Sequence, residues 1–233
     1  MDILKRLQQE FDIKATQVEN TIRLLDEGNT VPFIARYRKE LTGALDDQII
    51  RQLSERLTAL RHLEEKREQI RNTIEEQGNL TEELAAKLDA AETQTELEDL
   101  YRPFRPKRRT RASIAKEKGL QALADTIWGQ KLSAPLETFA AAFVDVEKGV
   151  SSVEEAIQGA MDILAEQISD DAELRKLLRE ETVKNGALVS KKMTEEASVY
   201  EMYYAYQEPL KKVAGHRILA VNRGEKEGIL SVK

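Results

Sequence analysis

The chain has 233 residues, 41% of them hydrophobic, 33% charged and 5% aromatic, a mix that suits helices with narrow apolar stripes and argues against an all-β fold. The absence of cysteine excludes disulfides and thiolate metal sites and fits a reducing compartment, so a cytoplasmic location is expected. A formal net charge of −6 disfavours a polyanionic partner on average, because phosphate binding needs positive potential.

At the N-terminus Asp2, Glu10 and Asp12 flank no long apolar run. A signal peptide is therefore not read there, and no window reaches the roughly 20 apolar residues of a membrane helix. Leu4, Leu7 and Phe11 make a first short stripe. Thr16 and Glu19 then have capping-box spacing, opening a helix that turns Val18, Ile22 and Leu25 inward and stops at Gly28. Thr30-Val31-Pro32 opens a third helix through Tyr37, since proline is tolerated in a first turn. Residues 1–45 thus form an N-terminal unit with a helix-turn-helix outline. Glu19, Asp26 and Glu27 outnumber Arg23 on its second helix, so packing is preferred there to reading of bases.

The spacing of Ile49, Leu53, Leu57, Leu60, Leu63, Ile70 and Ile74 predicts a long helix from about Asp46 to Gln77. Arg61/Glu65, Glu64/Arg67, Glu68/Arg71 and Arg71/Glu75 lie at three- or four-residue spacing on its other face. Such a helix can stand partly free of the core. Gly78 ends it, and Thr81 with Glu82 and Glu83 starts the next. Thr95 and Glu98 give a second capping box, and Pro103 halts that helix, leaving residues 102–107 extended. Thr110 caps a further helix closed by Gly119, and Leu120, Leu123 and Ile127 form a stripe up to Gly129.

Ser152 and Glu155 make a third box, with Ile157, Met161, Leu164 and Ile168 on one face of the helix that follows. Asp171 begins a partner helix bearing Leu174, Leu177 and Leu178, and Asn185-Gly186 ends it, which reads as a helical hairpin. Beyond Ala187 the character changes. Tyr200, Tyr203, Tyr204 and Tyr206 cluster, with the first three at helical spacing, suited to packing against a neighbouring domain. The apolar, strand-like run 228–233 predicts that further chain follows, because its backbone groups would otherwise be left at an open edge. The predicted class is all-α: the N-terminal unit, a central helical scaffold over 46–200, and a connector over 201–233.

Charge is unevenly distributed. Residues 102–118 hold eight Lys/Arg against Glu117 alone, a local +7 that leaves −13 for the remainder. Within it, Arg102, Arg105, Lys107, Arg108, Arg109 and Arg111 are the first candidates for contact with nucleic-acid phosphates, because arginine forks two hydrogen bonds onto a phosphate and Pro103 and Pro106 stiffen the segment. Thr110 at a helix start adds free backbone N–H groups. The competing reading is that these arginines bridge acidic helices of their own chain. Arg36, Arg38 and Lys39 around Tyr37 form a second basic run with an aromatic inside it, as stacking on nucleotides requires. A helix that buries Phe33 and Tyr37 while Arg36 and Lys39 stay solvated fits the same spacing better.

No catalytic set is apparent. His62 and His216 are far apart and without matching ligands, and Asp46/Asp47 and Asp170/Asp171 sit where helices begin. No phosphate-cradling glycine loop or nucleophile elbow appears, so no cofactor, metal, small-molecule substrate or catalysis is expected.

Three stretches carry a family resemblance: Thr30-Val31-Pro32-Phe33-Ile34-Ala35-Arg36-Tyr37-Arg38-Lys39-Glu40-Leu41-Thr42-Gly43, Leu97-Glu98-Asp99-Leu100-Tyr101-Arg102-Pro103-Phe104-Arg105-Pro106-Lys107-Arg108-Arg109-Thr110, and His216 through Gly228. In this order they resemble the bacterial Tex family. The resemblance implies a multidomain cytoplasmic protein, related to a eukaryotic transcription-elongation factor, whose helical N-terminal part is followed by an RNase H-like domain without an active site, helix-hairpin-helix elements and an OB-fold. It also implies binding of RNA or DNA with little sequence preference, mainly through that OB-fold, and contact with the transcription machinery. The expected role is a non-enzymatic scaffold of a nucleic-acid-binding transcription accessory protein; the alternative is protein docking without direct nucleic-acid contact.

Overall fold

The computed structural model describes residues 2–130, 134–195 and 197–233. The chain divides into two compact units, Met1–Pro106 and Lys107–Lys233.

The first unit is helical: α1 (Ile3–Phe11), α2 (Ala15–Asp26), α3 (Val31–Tyr37), α4 (Lys39–Thr42), α5 (Asp47–Glu76), α6 (Glu82–Ala90) and α7 (Gln94–Tyr101). Asp46 caps α5 by accepting from the Ile49 N–H at 2.8 Å. Along α5, Ile50, Leu53, Leu57, Leu60, Leu63, Ile70 and Ile74 are buried, with Ile50 rather than Ile49 innermost at its start. The first half packs with Leu7 and Val18 of α1 and α2, and with Leu24, Ile34 and Leu45 around α3. The last turns pack with Leu88 and Leu97 of α6 and α7. The helix is therefore covered along its length and does not stand free.

Of the charge pairs expected from spacing, Glu64/Arg67 forms, whereas Arg61 and Arg71 find partners off the helix. Arg61 reaches Asp26 at 2.7 Å and Arg71 reaches Asp89 at 2.7 Å, while Arg67, bonded to Glu64, is buried with its Nη2 donating to the Ala91 carbonyl. Two helix starts move by two residues or fewer. Gln17 closes the start of α2 by accepting from the Lys14 N–H at 3.1 Å, and Thr93 with Glu96, not Thr95 with Glu98, forms the box of α7. Residues 102–104 make one turn of 3-10 helix, and the extended backbone begins at Arg105.

An ion-pair cluster joins α1 to α5. The Glu10 carboxylate accepts from Arg56 at 2.7 and 2.8 Å and from Arg6 at 2.6 Å, and Arg6 also reaches Glu92. The bonds from Arg56, then Arg6, hold the Glu10 carboxyl down to about 2. The unfolded chain binds this proton near pH 4.3, so the stabilisation is complete above about pH 4.3 and is lost as pH falls through about 2. Solvent screening limits it to about 1 kcal/mol. Glu10→Gln is thus expected to lower the melting temperature at neutral pH while flattening its fall with acid, checked by melts at neutral and acid pH; parallel curves would refute the assignment.

The second unit contains α8 (Arg111–Glu117), α9 (Gln121–Trp128), α10 (Leu136–Ala140), α11 (Val153–Asp170), α12 (Ala172–Asn185) and α13 (Gly215–Lys226), with strands β1 (Ala187–Lys192), β2 (Ala205–Pro209) and β3 (Leu230–Val232). Thr110, Ser152 and Asp171 cap α8, α11 and α12 as predicted. The most deeply buried face of α11 is Ala156, Gly159, Ala160 and Ile163; of the expected stripe Ile157 and Leu164 pack against this core half-buried, while Met161 and Ile168 are exposed. Small side chains let α8 and α9 approach closely, with Ala112, Ala115, Leu120 and Leu123 filling the seam. α12 buries none of its residues, and Leu177 and Leu178 are exposed.

The all-α expectation is corrected here. β1 to β3 form an antiparallel sheet in the order β2-β1-β3, with Ser190 paired to Tyr206 on one side and Val232 on the other. The strand-like run near residue 230 is thus β3. The tyrosines do not continue a helix: 201–203 is a 3-10 turn, Tyr206 lies in β2, and Tyr200 is buried within its own unit beside Gly224.

Candidate nucleic-acid interface

The six basic residues of 102–111 fall into different environments. Arg102 is engaged by a partner, and Arg105 lies 4.0 Å from Glu98, both in the first unit. In the second unit Lys107 bonds to Asp170 and sits 3.3 Å from Glu166, while Thr110 Oγ1 donates to Glu166 at 3.0 Å. These bonds brace the start of α8 against the end of α11. Asp170, itself mostly buried, would lose this positive partner without Lys107.

Arg109 is 3.4 Å from Glu117, a pair with both side chains largely exposed and so worth little. Arg108 and Arg111 are exposed and make no ion pair among the described residues. Arg111 borders a cleft of about 260 Å³ between α8 and α11, whose walls also carry Lys118, Glu155 and Asp162. The cleft is of mixed charge, with Arg111 and Lys118 set against Glu155 and Asp162. Thr110 spends its hydroxyl on the Ser113 N–H at 3.0 Å, and α8 is too short to act as an anion site by its end alone.

In the first unit Arg36 and Lys39 are exposed and unpaired among the described residues. The burial expected for this helix is overturned in part: Ile34 is its buried residue, Phe33 is half-buried, and Tyr37 is 56% exposed. The Phe33 and Tyr37 rings are 5.3 Å apart and tilted by 47°, and the Arg38 guanidinium lies 5.0 Å from the centre of the Phe33 ring. Arg38 also donates to the Tyr37 carbonyl at 3.0 Å.

Two residues unnoticed in the sequence fix this elbow. Gln17 Nε2 donates to the Thr42 carbonyl and Asn20 Nδ2 to the Leu41 carbonyl, each at 2.9 Å. Gly43 follows with φ +64, where a Cβ would come within 2.5 Å of Gln17 Nε2. Polar residues on α2 at three-residue spacing were the available signal.

Among the described residues, no group of three His, Cys, Asp or Glu side chains is arranged to hold a metal ion, and no helix is long and apolar enough to cross a membrane. His62 and His216 are exposed.

Fold and surfaces together define a mostly helical scaffold that presents uncompensated cations in each unit. Residues 1–75 match the Tex-like protein N-terminal domain and residues 130–233 the Tex central region; the chain belongs to the Tex family. It is 48% identical over 226 residues to Protein YhgF of Escherichia coli, covering 96% of this chain and 29% of that protein. To the Transcriptional accessory protein Tex of Neisseria gonorrhoeae it is 44% identical over 236 residues, covering 100% of this chain and 31% of the relative. The human S1 RNA-binding domain-containing protein 1 is 30% identical over 243 residues, with 100% of this chain and 24% of that protein covered. The chain thus spans less than a third of the length of these relatives.

Proposed function

We propose that this chain is a non-catalytic scaffold of a cytoplasmic transcription accessory protein, meeting the sugar–phosphate backbone of RNA or DNA without reading bases. The exposure of Arg108 and Arg111 without carboxylate partners, on a segment braced through Lys107, carries the reading. Relatives named for a transcription accessory role and for an S1 RNA-binding domain support the setting. Since the chain spans so little of them, the principal affinity of a whole protein would reside in other domains.

Anisotropy titrations with single- and double-stranded oligonucleotides over a range of salt concentrations test it. Affinity is expected to fall with salt, and the double variant Arg108→Gln/Arg111→Gln is expected to flatten the logarithmic slope by about 1.4–1.8, at roughly 0.7–0.9 per phosphate contact. Absent binding, or an unchanged slope in the variant, defeats the reading. A docking role without nucleic acid is favoured instead by the Lys107 bonds to Asp170 and Glu166. Under that role Lys107→Gln lowers the melting temperature and no oligonucleotide binds.

A further inference from the structure

We infer that the α3–α4 elbow is a base-stacking platform for single-stranded nucleic acid, with Tyr37 as the stacking ring; this deepens the backbone-contact reading and rests on it. An unpaired strand offers what a duplex hides, the flat faces of its bases, and an exposed aromatic ring beside cations is the side-chain arrangement that takes them. Tyr37 is 56% exposed at the end of α3. Phe33 supports it from one turn earlier, at 5.3 Å between ring centres, and the Arg38 guanidinium packs on the far partner of that pair.

Charge identifies the occupant. Residues 1–106 carry 22 Asp/Glu against 16 Lys/Arg, and most of the cations outside the elbow are taken, among them Arg6, Arg56, Arg61, Lys66, Arg67, Arg71 and Lys87, each of which holds a carboxylate. The elbow reverses this pattern. Arg36, Arg38 and Lys39 follow one another around Tyr37 with Glu40 the single acid of the run 30–43, and none of the three makes an ion pair among the described residues. Two exposed cations, Arg36 and Lys39, with Arg38 packed on Phe33 and holding no carboxylate, complement a strand carrying a phosphate beside every base.

The platform is also held still. Ile34 is fully buried among Leu24, Leu45 and Ile50, and Gln17 and Asn20 grip the carbonyls at the end of α4. With the backbone of the elbow fixed, only the Tyr37 side chain has freedom to lose when a base stacks on it.

The test compares the full chain with its Tyr37→Ala, Tyr37→Phe and Arg108→Gln/Arg111→Gln variants. The probes are single-stranded DNA and RNA oligonucleotides, an abasic strand of equal length, and a duplex. The wild type is expected to prefer base-bearing single strands to the abasic strand. Tyr37→Ala should weaken that binding by roughly 5- to 100-fold and leave abasic and duplex binding unchanged, and Tyr37→Phe should restore it, stacking needing only the ring. Tyr37 is exposed, so the variant keeps its fold, which a melting curve checks. Equal affinity of wild type and Tyr37→Ala for base-bearing strands overturns the platform. If the double arginine variant still weakens all probes in that case, the backbone reading survives by itself; if no probe binds the wild type, both readings fall.

Discussion

Ile74→Ala is expected to destabilise the first unit by about 2–5 kcal/mol, the usual loss when a buried branched side chain is cut back to its Cβ and the cavity closes only partly. Ile74 lies in the last turn of α5 and is 0% exposed. If α5 projected beyond its core, a substitution there would cost little, because water would already surround the site. Instead Ile74 shares a cluster with Leu63, Ile70, Leu88 and Leu97, which ties α6 and α7 to the end of the long helix. A urea titration followed by far-UV circular dichroism measures the loss. Trp128, the single tryptophan of the chain, lies in the second unit and serves as an internal control whose transition should not move. A loss well below 1 kcal/mol would mean that the end of α5 is not packed as a core.

The α5 example shows what was legible in the residues and what was not. Periodicity placed the helix and nearly all of its inward face, but it could not show that α6 and α7 return to cover the last turns. Local ion-pair spacing misled for the same reason: Arg61 and Arg71 find Asp26 and Asp89, partners 35 and 18 positions away. The capping box of α7 was ambiguous because Thr93-Gln94-Thr95-Glu96-Leu97-Glu98 contains the motif twice in overlapping registers. The first register takes precedence because one Glu96 oxygen accepts from both the Glu92 and Thr93 N–H groups, at 2.8 and 3.2 Å. The sheet escaped notice because β1 is buried mostly in part and ends in Lys191-Lys192, without the strict alternation that announces a half-buried strand.

The candidate interface divides along the same line. Its basic residues are evident from composition, but whether each is free depends on distant residues, with Lys107 meeting Asp170 63 positions away. The elbow was misjudged on one point, since the spacing that places Phe33 and Tyr37 together does not say whether their shared face or that of Ile34 turns inward. The core chose Ile34, leaving Phe33 half-buried and Tyr37 exposed where helical periodicity would assign both to the interior.

Gly159→Val should disrupt the packing of α11 against α8 and α9 in the second unit. A Cβ at position 159 would stand 2.3 Å from Leu120 Cδ1 and 3.4 Å from the Ala115 Cβ, and Leu120 is only 1% exposed. Alanine would gain up to about 1 kcal/mol of helix propensity against this crowding, so Gly159→Ala is expected to change stability little. Valine adds two methyl groups to the same seam and disfavours the helix through its branched Cβ, so a loss of about 1–3 kcal/mol follows, read from Trp128 fluorescence in urea. The consequence reaches the candidate interface, because the seam holds α8 on α11 and the bonds of Lys107 and Thr110 to Asp170 and Glu166 depend on that approach. Pushing α8 outward strains both bonds and loosens the segment that carries Arg108 and Arg111. Gly159→Val should therefore weaken backbone binding as well as stability, whereas Ile74→Ala should lower stability and leave the contribution of Arg108 and Arg111 intact. Equal stability of the alanine and valine variants would show that Leu120 has room to move, and would remove the seam as the reason for a glycine on α11.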